Sequence, residues 1–251
     1  MRVLILGGTT EASALARRLA DDTHFEATLS LAGRTAQPAP QALPTRIGGF
    51  GGIDGLVRHL RDEKIVAVID ATHPYADQMS AHAVAACGQA AVPLASLVRA
   101  PWTRQAGDEW IEVVDTQAAA NAIGRNPRRV FLAIGRQELP VFAAAPQHHY
   151  LARVIDAPAG DALPPNLTLV QARGPFDLAA ETALLRDRRI ELVVSKNAGG
   201  DATYAKIEAA RALGVRVIMI ARPDKPAGHV TVTPEDAVAW LDHVRRSLRG
   251  V

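Results

Sequence analysis

The sequence predicts an α/β fold with mainly parallel sheets, and three observations carry that reading. Short apolar runs of Val, Leu, Ile and Ala alternate with segments of helical periodicity along the chain. Hydrophobic residues make up 48% of the 251 residues and aromatics only 4%, as buried parallel strands of aliphatic side chains require. Successive apolar runs end in glycine or polar residues, and open α/β sheets bind ligands beyond those carboxyl ends.

The first element sets the pattern. Val3-Leu4-Ile5-Leu6 reads as a buried strand cut off by Gly7-Gly8, after which Ala12, Leu15, Ala16 and Leu19 recur at helical spacing. A helix entered through a glycine turn aims its unpaired N–H groups and the positive end of its dipole over that turn, which favours a phosphate. Against the dinucleotide fingerprint G-x-G-x-x-G/A, Gly7 takes the first position, Thr9 replaces the second glycine and Ala12 fills the third. Thr9 and Thr10 offer hydroxyls to an anion, whereas Glu11 suits a helix N-terminus but repels a pyrophosphate. A strand–turn–helix opening without a ligand fits the same residues.

A strand over residues 25–31 ends in Ala32-Gly33-Arg34. Where an NAD site places an acid for the ribose 2′-hydroxyl, this chain has Ser30 and Arg34, which match a 2′-phosphate and make NADPH the expected cofactor. Residues 35–45 form a proline-bearing loop and 45–47 a short third strand. The following Gly48-Gly49-Phe50-Gly51-Gly52 lets backbone approach a ligand, so Gly49, Phe50 and Gly51 join the expected cofactor site. Ile53, Leu56, Val57 and Leu60 mark a helix, and 65–69 a buried strand ending in Asp70-Ala71-Thr72-His73-Pro74-Tyr75. Pro74 fixes its own φ and biases His73 toward an extended conformation. Thr72, His73 and Pro74 are therefore expected to form a stiff wall beside the nicotinamide. A helix over 77–90 and a strand over 94–98 complete a first domain, residues 1–98.

Residues 99–251 are expected to form a second α/β domain completing the substrate cleft. Its strands are expected at 110–114, 130–134, 150–155, 167–172, 192–194 and 215–221, and its helices at 116–123, 178–188, 204–213 and 234–248. Arg99, Arg136 and Arg173, with Ser195, Asn197 and Tyr204, are the expected substrate-binding residues, the cations suiting carboxylates.

Composition excludes other classes. Formal net charge is only +2 and the arginines are scattered, which argues against nucleic acid as a partner. No apolar run approaches the ~18 residues of a membrane helix, and the first residues lack a signal pattern, so a cytoplasmic protein without membrane attachment is expected. Cys87 is the only cysteine, which rules out a disulfide within the chain and a thiolate metal site. The eight histidines form no H-x-x-x-H or H-E-x-x-H pattern, so no metal is expected. G-x-S-x-G and Y-x-x-x-K are absent as well. Hydride transfer asks little of the protein beyond orientation and electrostatics, because the cofactor carries the hard step. A non-catalytic NADP-binding regulator, or a reductase of another acidic small molecule, would share these features.

Taken together, Gly7-Gly8-Thr9-Thr10-Glu11-Ala12, Ala32-Gly33-Arg34, Gly48-Gly49-Phe50-Gly51, Asp70-Ala71-Thr72-His73-Pro74-Tyr75-Ala76 and Ser195-Lys196-Asn197 resemble the precorrin-6A reductase family of cobalamin biosynthesis. Gly135-Arg136 with Glu138-Leu139, Tyr204-Ala205-Lys206-Ile207 with Ala209-Ala210, and Arg222-Pro223 extend the resemblance to nearly the whole chain. The resemblance implies two Rossmann-like domains with cofactor and substrate in the cleft between them. It also implies NADPH-dependent reduction of one double bond of the contracted tetrapyrrole precorrin-6A, giving precorrin-6B. The acetate and propionate fringe of that anionic tetrapyrrole suits the scattered arginines, and neighbouring cobalamin-pathway enzymes would be its protein partners. Within this frame Tyr75 is expected at the reacting face, Lys196 as anchor of a substrate carboxylate, and Asp201 as electrostatic or hydrogen-bonding support.

Overall fold

The computed structural model describes residues 1–33, 35, 37–158, 162–225, 228–248 and 250. The chain runs β1 (Arg2–Leu6), α1 (Thr10–Ala20), β2 (Glu26–Leu31), β3 (Thr45–Ile47), α2 (Gly52–Asp62), β4 (Ala67–Asp70), α3 (Asp77–Ala90) and β5 (Leu94–Leu97). There follow β6 (Trp110–Val113), α4 (Thr116–Ala122), β7 (Arg129–Ala133), a 3-10 segment (Arg136–Ala144), β8 (His149–Val154), β9 (Leu167–Gln171), α5 (Leu178–Asp187), β10 (Leu192–Lys196), α6 (Ala205–Leu213) and β11 (Arg216–Ile220). The last elements are β12 (His229–Thr231) and α7 (Pro234–Leu248). Two units result, one of residues 1–100 with 223–251, the other of 101–222.

The first unit is a six-stranded, wholly parallel sheet in the order β3-β2-β1-β4-β5-β12. Its strand order reverses between β1 and β4, which is where a doubly wound sheet opens a crevice for ligands. The unbroken apolar run of β1 follows from burial on both faces. Val3 and Ile5 join one core with Leu15 and Leu19 of α1 and Leu241 of α7. Leu4 and Leu6 join the opposite one, with Leu56 and Leu60 of α2 and Ala83 of α3.

The expected boundary at 98/99 falls two residues before the observed break, but the expected second domain, 99–251, needs correction. Residues 223–251 return to the first unit, where Thr231 of β12 pairs with Leu97 of β5 and α7 packs on the α1 side. The sequence gives little sign of this return. β12 is three residues long, His229 and Val230 are exposed, and only Thr231 faces inward.

The second unit is also a six-stranded parallel sheet, in the order β6-β11-β10-β7-β8-β9, with its reversal between β7 and β10. Phe131, Val193 and Val217 from its strands pack against Leu185 of α5 and Ile207 and Ala210 of α6. Among the described residues no helix is long and apolar enough to cross a membrane, and no His/Cys/Asp/Glu group could hold a metal ion.

Candidate functional site

In the first unit the site begins where β1 turns into α1. Gly8 lies at φ +123°, which side chains rarely tolerate, and nothing approaches within 4 Å of the place a Cβ would occupy. The turn therefore presents bare backbone outward. Gly7 has a packing role, since its N–H donates to the Ser30 carbonyl (2.9 Å) and a Cβ there would come within 2.6 Å of Leu29.

The hydroxyls of this turn are already engaged, contrary to the expectation that they serve an anion. Thr9 Oγ1 caps α1 by accepting from the Ala12 N–H (3.1 Å) and donates to the Ala71 carbonyl (2.8 Å), tying the β1 turn to the β4 turn. Thr10 Oγ1 donates to Glu11 (3.1 Å). Glu11 in turn is ion-paired with Arg99 at 2.8 Å, the two side chains being only 18% and 16% exposed. Arg99, expected on the substrate side, thus belongs to the first unit and cancels the carboxylate that would repel a pyrophosphate. Ser13 N–H bonds back to Thr9, so the first-turn N–H groups of Thr10 and Glu11 are left for an anion among the described residues.

Asp70, at the end of β4, is 1% exposed. Its Oδ1 accepts from the Thr72 N–H (3.0 Å) and hydroxyl (2.6 Å), and its Oδ2 from Ser80 Oγ (2.6 Å) and Lys225 Nζ (3.3 Å). A buried carboxylate persists only when so satisfied, and the outcome is a fixed turn. Thr72 spends its side chain in this network. His73 and Tyr75 stay partly exposed on the loop, with their rings 5.7 Å apart and the Tyr75 N–H on His73 Nδ1 (3.3 Å), while Pro74 is buried between them in sequence.

At the carboxyl ends of β2 and β3 the structure reveals a residue the sequence reading passed over. Ser30 is buried and accepts from Arg46 Nη1 (2.8 Å), so it is a support for Arg46 rather than an open cofactor contact. Arg46 also donates to the carbonyls of Gly48 (2.9 Å) and Gly49 (3.1 Å), and its Cζ lies 3.9 Å over the Phe50 ring. Gly33 (φ +74°) closes on Ile47 and Gly48, and Gly51, at φ +79°, leads into α2. Arg34 lies outside the described residues.

In the second unit the reversal point carries Lys196, whose Nζ pairs with Glu138 Oε1 at 2.5 Å. Three expected substrate contacts have other employment. Ser195 is 0% exposed and donates to the Lys196 carbonyl, so it has no face toward a ligand. The Asn197 amide clamps the Trp102 backbone, accepting its N–H (2.7 Å) and donating to its carbonyl (3.0 Å). The Tyr204 hydroxyl accepts from Arg211 (2.7 Å), which is held by buried Asp108 (2.9 Å). Asp201 is exposed in the loop after β10. Arg136 lies 3.8 Å from Asp156, and Arg173 is exposed after β9.

The family model described as precorrin-6x reductase CbiJ/CobK matches residues 2–242. The chain belongs to that family. A precorrin-6A reductase of Rhodobacter capsulatus is 55% identical over 250 residues, covering 100% of this chain and 99% of its own. One of Mycobacterium tuberculosis is 48% identical over 250 residues, covering 100% and 97%. A solved structure, CobK precorrin-6A reductase, superposes with a TM-score of 0.93 at 56% identity over 97% of each chain.

A precorrin-6x reductase requires a reducing cofactor, and the first unit fits a dinucleotide. The bare Gly8 backbone, the leftover α1 donors, the neutralised Glu11 and the open space around Gly48, Gly49 and Gly51 form a cradle that added Cβ atoms would fill. Sequence reasoning missed Arg46, Glu138 and Lys225. Arg46 stands two residues before the first glycine of the loop and Glu138 beside Leu139 in a quoted motif, which were usable signals. Lys225 lies between prolines without periodicity and gave none.

Proposed function

We propose that this chain is an NADPH-dependent precorrin-6A reductase that adds a hydride and a proton across one double bond of the macrocycle to give precorrin-6B. The crevice at the β1/β4 reversal carries the reading, because it joins an anion-binding helix start to a carboxylate already cancelled by Arg99. The names of the R. capsulatus and M. tuberculosis relatives support the choice of substrate. Bound in that crevice, the reduced nicotinamide supplies the hydride.

The chain's own residues do the rest. The Thr10 and Glu11 N–H groups would hold the pyrophosphate, and the loop fixed by the Asp70–Thr72 bonds, with His73 and Tyr75, would hold the nicotinamide. Tyr75 borders the reacting face, and solvent or its hydroxyl delivers the proton. In the second unit Lys196 anchors a substrate carboxylate in exchange for Glu138, Arg136 and Arg173 take further carboxylates, and exposed Asp201 adds electrostatic support to the local positive charge of the iminium-like double bond that accepts the hydride.

The test mixes purified protein, NADPH and precorrin-6A and follows NADPH absorbance. Consumption should require all three. Tight NADPH binding without consumption would make the chain a regulator instead.

A further inference from the structure

We infer that Arg46 reads the ribose 2′-phosphate and so sets the preference for NADPH over NADH, a role resting on the dinucleotide site proposed above. Ser30 and Arg46 are register partners at the carboxyl ends of β2 and β3, the edge of a doubly wound sheet where the adenosine ribose lies. The guanidinium's hydrogen bonds go to Ser30 Oγ and the carbonyls of Gly48 and Gly49, all uncharged. None of the ion pairs among the described residues involves it. A half-buried cation without a counter-charge carries a desolvation cost that an arriving anion relieves.

The geometry also fits an oxyanion. Nε–H and the second Nη2–H are not used by those three bonds, and the Phe50 face beneath Cζ fixes the plane in which they point. Around Gly48 and Gly49 nothing lies within 4 Å of the Cβ positions, which leaves room for a phosphate. Behind Phe50, burial first and Arg46 second hold His59 below the usual histidine range, so the positive charge here resides on the guanidinium.

Calorimetric binding of NADPH, NADH, 2′,5′-ADP and 5′-ADP tests the role without turnover. Wild type should bind NADPH and 2′,5′-ADP tighter than their unphosphorylated partners. Arg46→Ala should weaken NADPH by about tenfold to a hundredfold and NADH by less than about threefold. Arg46→Lys, which keeps charge but loses the fork, should fall between and carries the comparison should Arg46→Ala not fold. Equal losses for NADPH and NADH would reduce Arg46 to a shaper of the glycine loop and overturn the inference, leaving the cofactor site intact. A wild type indifferent to the 2′-phosphate would overturn it too. Binding of none of the four would overturn the dinucleotide site along with it.

Discussion

Lys196 and Glu138 illustrate how a single residue pair can hold a site ready. With Glu138 at 2.5 Å, the ammonium has an internal carboxylate where the proposed reaction needs a substrate's. Lys196→Ala should therefore raise KM for the tetrapyrrole strongly while NADPH affinity stays nearly constant. A collapse of kcat at unchanged KM would instead assign Lys196 to the chemical step. Glu138→Gln removes the competing charge and should lower KM. A second residue, His148, bears on stability. It is buried with Nε2 on the Gly124 carbonyl (3.0 Å) and, among the described residues, no partner at Nδ1. Burial pushes its pKa down, outweighing the Gly124 bond, and Arg128 adds to the depression. The unfolded imidazole takes up a proton near 6.5 while the folded one resists, so the unfolded state binds more protons in that window. Stability should fall as pH drops below about 6.5, and His148→Gln should flatten that fall in urea melts at about pH 5 and pH 8.

At the scale of elements, α2 shows how tightly the glycine loop is built. A Cβ on Gly55, in the first turn of α2, would stand 1.6 Å from the Phe50 carbonyl oxygen. Gly55→Ala must unwind that turn or displace Phe50, at a cost of about 1–3 kcal/mol or more, measurable as a lowered melting temperature. Because Phe50 supports Arg46, NADPH affinity should fall with it. The helix itself was legible, as Leu56, Val57 and Leu60 share one face, and so were β1, β4 and β10, whose apolar runs are buried. The 3-10 segment was not, because Pro140 interrupts any helical period. At the candidate site, the turn after β1 could be read from its glycines alone, as Gly8 at φ +123° shows. Which hydroxyls and amides were already taken could not. Thr9 is committed to Ala71, 62 positions away, and Asn197 to Trp102, 95 positions away. Sequence displays functional groups, whereas their partners are set by the sheet order.

For the whole molecule, the path of the chain decides which pieces can stand alone. After β5 the chain leaves the first sheet, builds all of β6 to β11 into the second, and returns only at β12. Residues 101–222 therefore contain a complete six-stranded sheet with its own core, and should fold when expressed alone. Residues 1–100 should not. Without β12 the edge of β5 presents unpaired backbone groups, a template for aggregation. Without α7 the core over α1 loses buried Ala237, Leu241 and Val244, and the leucine and valine alone contribute roughly 1.5–3 kcal/mol each. That is a large share of the 5–15 kcal/mol by which a domain is usually stable. Joining 1–100 to 223–251 through a flexible glycine/serine linker restores both elements. The joined chain should unfold cooperatively in circular dichroism melts and, if the first unit holds the cofactor, bind NADPH calorimetrically without the second. Cooperative unfolding of 1–100 alone, at the same melting temperature as the joined chain, would show that the returning strand and helix decorate the first unit rather than complete it.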